Sequence, residues 1–385
     1  MTARNTELGK LCIICEGEST ENNFCKDFIE YLENNNYRGC HKKDVIILPP
    51  PRENDAQPLQ NARTIKKTRI SNSGNVSLHI INGKPPLKWV QTGVEALKIY
   101  NEVWVLFDND NHPARKEAFD LAKRERDNGG KLNIAYSSWS FEYFLLQHFE
   151  FLYHSFHRTE HRIHDDICNC CTANSQKGAC NGILDDPNLP ACISGYARKQ
   201  GYWIDSKDGN IFGIIPNIWK GICNAYHVKW QTIFNDWRIE EDKRLSIYDQ
   251  NPYLDTYRII LRLMNVRELD YYNSIETKDK LNIKIVGSDL VIHNGSNKSY
   301  IILPQHIVRF RFVLDDNDKL HYEKTCDCNR HVLNVDEDYT VSIIPTETDE
   351  FYLINFNDER FFLGIQQNCC NYSNEYLEKY HYNDL

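Results

Sequence analysis

Val103-Trp104-Val105-Leu106-Phe107-Asp108-Asn109-Asp110-Asn111-His112-Pro113 is the stretch on which the fold turns. Its first five residues form an unbroken apolar run, the pattern of a strand buried on both faces. Asp108 and Asp110 follow at a spacing of two, and in extended backbone such residues point the same way. The pair is therefore expected just past the carboxyl end of a buried strand, where open α/β sheets place their ligands. Two hard oxygen donors on one side suit Mg²⁺ or Mn²⁺. A surface loop with two solvated aspartates has the same local sequence, so the neighbouring segments decide the reading.

Upstream, Leu11-Cys12-Ile13-Ile14-Cys15 is a second continuous apolar run ending in Glu16-Gly17-Glu18-Ser19-Thr20-Glu21. Ser19 or Thr20 can cap a helix from about Glu21 to Asn34, with Phe24, Phe28, Ile29 and Leu32 on one stripe. Val45-Ile46-Ile47-Leu48 is another strand, stopped by Pro49-Pro50-Pro51. A polar stretch of some thirty residues comes next, read as a long loop, and it carries Arg63, Lys66, Lys67 and Arg69. It is either a solvated loop or a phosphate-contacting arm beside the acids. Leu87 to Tyr100 follows as a helix. Downstream of the aspartates, a helix over about 113–128 ends near Gly129-Gly130. The strand Leu132–Tyr136 then leads through Ser137-Ser138-Trp139-Ser140 into a helix over 141–149 carrying Glu142. This β-α alternation predicts an α/β fold, a parallel sheet flanked by helices. Glu16, the Asp108/Asp110 pair and Glu142 then share one sheet edge.

A strand ending in Glu-Gly, then a strand ending in Asp-x-Asp, within four β-α units, resembles the Toprim domain. The segments Cys15-Glu16-Gly17-Glu18-Ser19-Thr20-Glu21, Phe107 to Pro113 and Ala135 to Phe149 look closer still to the RloB-like family, which is Toprim-related and tied to abortive phage infection. Asn251 to Arg258 resembles that family's closing helix. The resemblance implies that Asp108 and Asp110 hold Mg²⁺ or Mn²⁺, and that Glu16 is an acid/base or a further ligand. Glu142 is a candidate second ligand or base, and Glu18, Glu21 and His112 are secondary. It also implies an AAA- or ABC-type ATPase partner. This chain itself shows no G-x-x-x-x-G-K-[ST] motif.

The rest departs from that pattern. His154, His157, His161 and His164 would share one face of a helix, and Cys168, Cys170, Cys171, Cys180 and Cys192 follow. Cys168, Cys171, Cys180, Cys192 and His161 are candidate ligands of a structural Zn²⁺, although the spacing fits no standard finger. An ordinary helix face also carries histidines. Trp219, Cys223, Tyr226, Trp230, Ile233 and Trp237 recur at helical spacing and read as an aromatic core stripe. From about 275 the period changes to two, with hairpins expected at Asn294-Gly295 and Asn357-Asp358. Cys326-Asp327-Cys328 with His331 is a second candidate metal loop. The expected division is a Toprim-like catalytic part over 1–150, a Cys/His-containing and helical part over 151–270, and a small β-rich domain over 271–385.

Composition bounds the function. The chain has 385 residues and a net charge of −9, so any nucleic-acid contact must come from a local basic patch. No run approaches the ~18 apolar residues of a membrane helix, and MTARNTELGK lacks a signal-peptide core. A cytoplasmic protein is expected, without membrane contact. Its fourteen cysteines are then not a disulfide framework, and Cys12 and Cys15 are small core residues. The function expected is a metal-dependent nuclease of an anti-phage system acting on DNA or RNA, tRNA included. The alternative is a non-catalytic Toprim-like module that binds nucleic acid or the ATPase. A homo-oligomer is compatible with either.

Overall fold

In chain order, the first half of the protein forms β1 (Leu11–Cys15), α1 (Thr20–Asn34), β2 (Val45–Leu48), a ribbon of β3 (Lys66–Arg69) and β4 (Ser77–Ile80), α2 (Pro86–Ala96), β5 (Glu102–Asp108), α3 (Arg115–Asp127), β6 (Leu132–Ser138) and α4 (Phe141–Leu146). The structure is a computed structural model that describes residues 10–17, 20–49, 66–69, 77–80, 85–109, 112–156, 162–163, 166–167, 192–202, 214–237, 239–240, 243–269, 274–314, 320–326, 328–343, 350–357 and 359–364. Every residue of β1 is buried, as a continuous apolar run between two helical layers requires. Burial pushes the Cys12 and Cys15 thiols well up, so both behave as core residues and not as nucleophiles.

β2, β1, β5 and β6 lie side by side in that order and run parallel. The chain therefore moves from β1 to one side and returns to place β5 on the other. That reversal is a topological switch point, and it falls between the strands that end at Glu16 and Asp108. The polar segment after β2 was read as loop throughout. The chain instead builds the antiparallel ribbon there, with Lys67 opposite His79 and Arg69 opposite Ser77. The apolar alternation Leu78, Ile80 was its one signal, and it is short. α3 begins after Pro113, not at it, because Ala114 takes a left-handed φ of 65° at the N-cap. It ends as expected, with Gly129 at φ 81° and the Gly130 N–H bonded to Glu125 O at 2.8 Å.

The second half opens with β7 (Arg162–Ile163) paired to β8 (Asp166–Ile167), then α5 (Ile193–Gln200), α6 (Ile218–Trp237), β9 (Tyr253–Leu254), α7 (Tyr257–Leu263) and β10 (Arg267–Glu268). Of the four histidines, His157, His161 and His164 lie outside the described residues, and His154 is not in a helix. Residues 151–156 belong to no helix or strand, and 162–163 lie in a strand. Side chains capture the backbone here: Tyr143 Oη and Gln147 Nε2 donate to Leu152 O at 2.7 and 3.0 Å, and Ser155 Oγ donates to Asn251 O at 2.7 Å. β9 adds a fifth, antiparallel strand beside β6, where the sequence predicts helix alone.

His148, in the turn after α4, is fully buried against α6. A Cβ on Gly221 would meet its ring at 2.3 Å. Burial pushes its imidazole down from the ordinary 6.5 to about 4, with Nδ1 against the carbonyls of Phe144 and Leu145. Between those two values the unfolded chain binds a proton that the folded chain does not, so stability falls as pH falls. The loss should reach about 2 kcal/mol at pH 5. Thermal melts of wild type and His148→Gln between pH 7 and 4.5 test this; equal slopes for the two proteins would refute it.

The remaining strands are β11 (Ile275–Glu276), β12 (Leu281–Val286), β13 (Asp289–Asn294), β14 (Tyr300–Ile302), β15 (Ile307–Leu314), β16 (Leu320–Cys326), β17 (His331–Leu333), β18 (Asp338–Ser342), β19 (Glu350–Phe356) and β20 (Glu359–Gly364). They form two main sheets, β10-β20-β19-β15-β16 and β11-β12-β13-β18, packed over a core that includes Leu281, Ile283, Ile292, Tyr352, Ile354 and Phe361. The hairpin at Asn357 forms as expected. The one at Asn294-Gly295 does not: β13 pairs with β12 and β18, and β14 with β17. Asn294 is wholly buried and donates to Lys298 O, Leu333 O and Asn334 O, so it organises a loop and not a two-residue turn.

The opposite face of the larger sheet joins the first core. Phe351 and Phe362 are buried there, stacked on Trp219 of α6 at 5.1 and 6.1 Å, with Tyr226 edge-on to Phe362 at 5.6 Å. Cys223, Tyr226, Trp230 and Ile233 are buried as the aromatic stripe requires. Below them, Lys229 lies 1% exposed, donates to Tyr257 Oη at 3.2 Å and stands 3.7 Å from Glu268 of β10.

Candidate functional site

Glu16 is the first residue beyond β1, and its N–H still bonds Leu106 O of β5 at 2.9 Å. Its side chain is only 16% exposed. One carboxylate oxygen, Oε2, accepts the backbone N–H of Asp108 at 3.0 Å. The other, Oε1, lies 3.0 Å from His112 Nε2. Asp108 is the last residue of β5 and is half-buried. The two acids therefore meet at the strand-order reversal, on the carboxyl edge, the position at which open α/β sheets bind ligands.

The local sequence explains how Glu16 is held. Gly17 lets the Glu21 side chain approach closely: a Cβ there would lie 2.5 Å from Glu21 Oε2. Glu21 is buried in the first turn of α1, where the helix N-terminus favours a carboxylate. Asn22 is wholly buried and donates to Pro49 O at 2.5 Å, which ties the start of α1 to the end of β2. Asn109 bonds through its N–H to Ser137 O at 3.0 Å, and its buried Oδ1 has no hydrogen-bond partner among the described residues.

Glu16, Asp108 and His112 are thus brought together. Glu142 lies buried in the first turn of α4, beyond the carboxyl end of β6. Among the described residues, no three His, Cys, Asp or Glu side chains come together as a metal-holding group, so neither Glu142 nor Glu21 completes one with Glu16 and Asp108. Asp110 and Glu18 lie outside the described residues, as do Arg63, Cys168, Cys171, Cys180 and His161. Lys66, Lys67 and Arg69 form β3. Cys192 is buried and its sulfur accepts the Gly195 N–H at 3.3 Å, capping α5.

The second candidate metal loop is not assembled among the described residues, and Asp327 lies outside them. The Cys328 thiol donates to Leu303 O at 3.1 Å, His331 Nε2 faces Glu337 Oε1 at 3.2 Å, and Cys326 is exposed at the end of β16. As for the first centre, the Glu16 carboxylate on the backbone of Asp108 and the Asp108 side chain are oxygen donors of the type a small divalent cation takes, so the donor chemistry suits Mg²⁺ or Mn²⁺.

Sequence reasoning missed two supports of this edge. Asp255, wholly buried, accepts the Tyr136 N–H of β6 at 2.6 Å and faces Arg258 at 3.7 Å. Burial pushes its carboxyl up, against the pull of Arg258 and Lys229. It lies in the segment likened to the family's closing helix, and its role needs β9 beside β6 to be seen. Arg115 heads α3 three residues after His112, and its Nη2 donates to Asp249 Oδ1 at 2.9 Å. A cation at a helix N-terminus opposes the helix dipole, and that was the available signal.

Residues 11–236 match the family model described as RloB-like protein. No curated protein and no solved structure matches the chain.

Proposed function

The chain belongs to the RloB-like protein family, whose model covers more than half of it, and on that premise we propose that it is a metal-dependent nuclease of an anti-phage system with a Toprim-like catalytic sheet. The observation that supports this most is the meeting of Glu16 and Asp108 at the strand-order reversal. In this reading Asp108 and Asp110 hold the cation, and Glu16 takes up or delivers the proton, or serves as a further ligand. Glu142 is the reserve ligand or base. A bound Mg²⁺ or Mn²⁺ would polarise the phosphate and lower the pKa of the attacking water. Glu16 is well placed for proton transfer because the Asp108 N–H and His112 Nε2 fix its orientation. The β3–β4 ribbon, with Lys66, Lys67, Arg69 and the preceding Arg63, supplies the local positive charge that a chain of net charge −9 needs to hold a polynucleotide. ATP-driven steps fall to a separate AAA- or ABC-type ATPase.

Purified protein incubated with tRNA, plasmid and single-stranded DNA should cleave at least one of them in Mg²⁺ or Mn²⁺ and none in EDTA. Cleavage that EDTA leaves intact would sink the metal assignment. One observation favours a second reading: both oxygens of Glu16 are already engaged, and only two carboxylates converge among the described residues. A module that binds polynucleotide or the ATPase without cutting would show binding in the same experiment and no products.

A further inference from the structure

Arg115 is 17% exposed, and nothing in the assigned chemistry uses it. It stands at the first position of a thirteen-residue helix, where a cation opposes the helix dipole. Its placement is nevertheless built. Asp249 Oδ1 holds Nη2 at 2.9 Å. Asp249 closes a 3₁₀ turn, Ile247–Asp249, through its N–H to Ser246 O. That turn is pinned to the sheet, since Tyr136 Oη donates to Tyr248 O at 2.8 Å and the Tyr248 ring packs on Phe119 of α3 at 5.7 Å.

One group remains unexplained. Arg115 Nε is buried and has no hydrogen-bond partner among the described residues, which is costly for a guanidinium. Two contacts locate Arg115 relative to the acids. His112, three residues before it, lies 3.0 Å from Glu16. Tyr136, whose hydroxyl holds the turn that carries Asp249, pairs through its backbone with Phe107, the neighbour of Asp108.

An acidic edge repels a polyanion, and a fixed guanidinium is the side chain best shaped to offset this by bonding phosphate oxygens. Resting on the nuclease reading, we infer that the Arg115 guanidinium contacts a non-bridging phosphate oxygen of the polynucleotide presented to Glu16 and Asp108, with Asp249 as its positioning residue. The contact supplies substrate charge neutralisation and adds no covalent step.

The test is binding of fluorescein-labelled single-stranded RNA and DNA to the full chain, by anisotropy over a range of salt, with Ca²⁺ in place of Mg²⁺. Arg115→Gln should bind at least about tenfold more weakly and lose about 0.7 from the salt slope. Arg115→Lys should keep the slope and lose part of the affinity. Asp249→Asn, which leaves the charge in place and loosens it, should weaken binding about threefold with an unchanged slope. If Arg115→Gln matches wild type in affinity and slope, Arg115 is only a staple between α3 and the 3₁₀ turn, and the inference falls alone. If Arg115→Gln fails to fold, the Asp249→Asn and Arg115→Lys results decide, and wild-type binding by both overturns it. Wild-type protein that neither binds nor cleaves either polynucleotide overturns the nuclease reading and this inference with it.

Discussion

Asp108→Ala should retain less than about one thousandth of wild-type cleavage in Mg²⁺ while melting within a few degrees of wild type. The size follows from removing a charged donor that a divalent ion relies on, worth several kcal/mol at the transition state, where each 1.36 kcal/mol is tenfold in rate. The small structural effect follows from geometry. Asp108 holds Glu16 through its backbone N–H, not its side chain, and alanine keeps that bond. The half-buried carboxylate itself ends a strand whose preceding five residues are buried. A glutamine at 16 offers a second view of the same edge. Its amide can still accept from the Asp108 N–H and turn its NH₂ toward His112, so Glu16→Gln should also fold and lose activity. Near wild-type cleavage by Asp108→Ala would remove the acidic pair from the chemistry altogether.

The second large effect is structural. A chain truncated after residue 270 should fail to melt cooperatively and should bind a hydrophobic dye. Phe351 and Phe362 belong to the same core as β1 and β5, and they cover Trp219 and Tyr226 of α6. Gly364 exists to admit the Tyr226 ring, since a Cβ there would lie 2.3 Å from it. Losing the packing among these four rings costs about 4–8 kcal/mol at roughly 25 cal/mol per Å², comparable with the ~5–15 kcal/mol that holds a domain together. The truncation also strips β20 from β10 and exposes Glu268 beside the buried Lys229. A cooperative, monomeric 1–270 fragment would show that the two sheets fold independently.

What the sequence reveals, and what it conceals, follows from the range of the forces involved. Apolar runs such as Leu11–Cys15 and Val103–Phe107 announce buried strands locally, and Glu16 and Asp108 stand out because they end such runs. The reversal that brings them together is a matter of strand order, which no local pattern encodes. The histidine spacing over 154–164 predicts a helix face, yet at its start Gln147 and Tyr143 hold Leu152 and Asn251 holds Phe156 from elsewhere in the chain. Asn294-Gly295 carries the best short hairpin signal of the second half. It loses to a buried asparagine whose partners are four and about forty residues away. Arg115 and Asp249 are 134 positions apart, so their pairing is invisible until the chain has folded.

The outermost strand of the first sheet, β9, has a consequence for the protein as it is made. β6 ends at residue 138, but its neighbour β9 and the buried Asp255 that accepts the Tyr136 N–H come more than a hundred residues later. A ribosome adding about 5–20 residues per second needs roughly 6–23 s to cover that distance. During that interval the acidic pair has been synthesised while the sheet carrying it has an open edge. The acidic edge is therefore completed late in translation, and a nascent chain interrupted before Tyr253 carries the acids without the strand that closes their sheet.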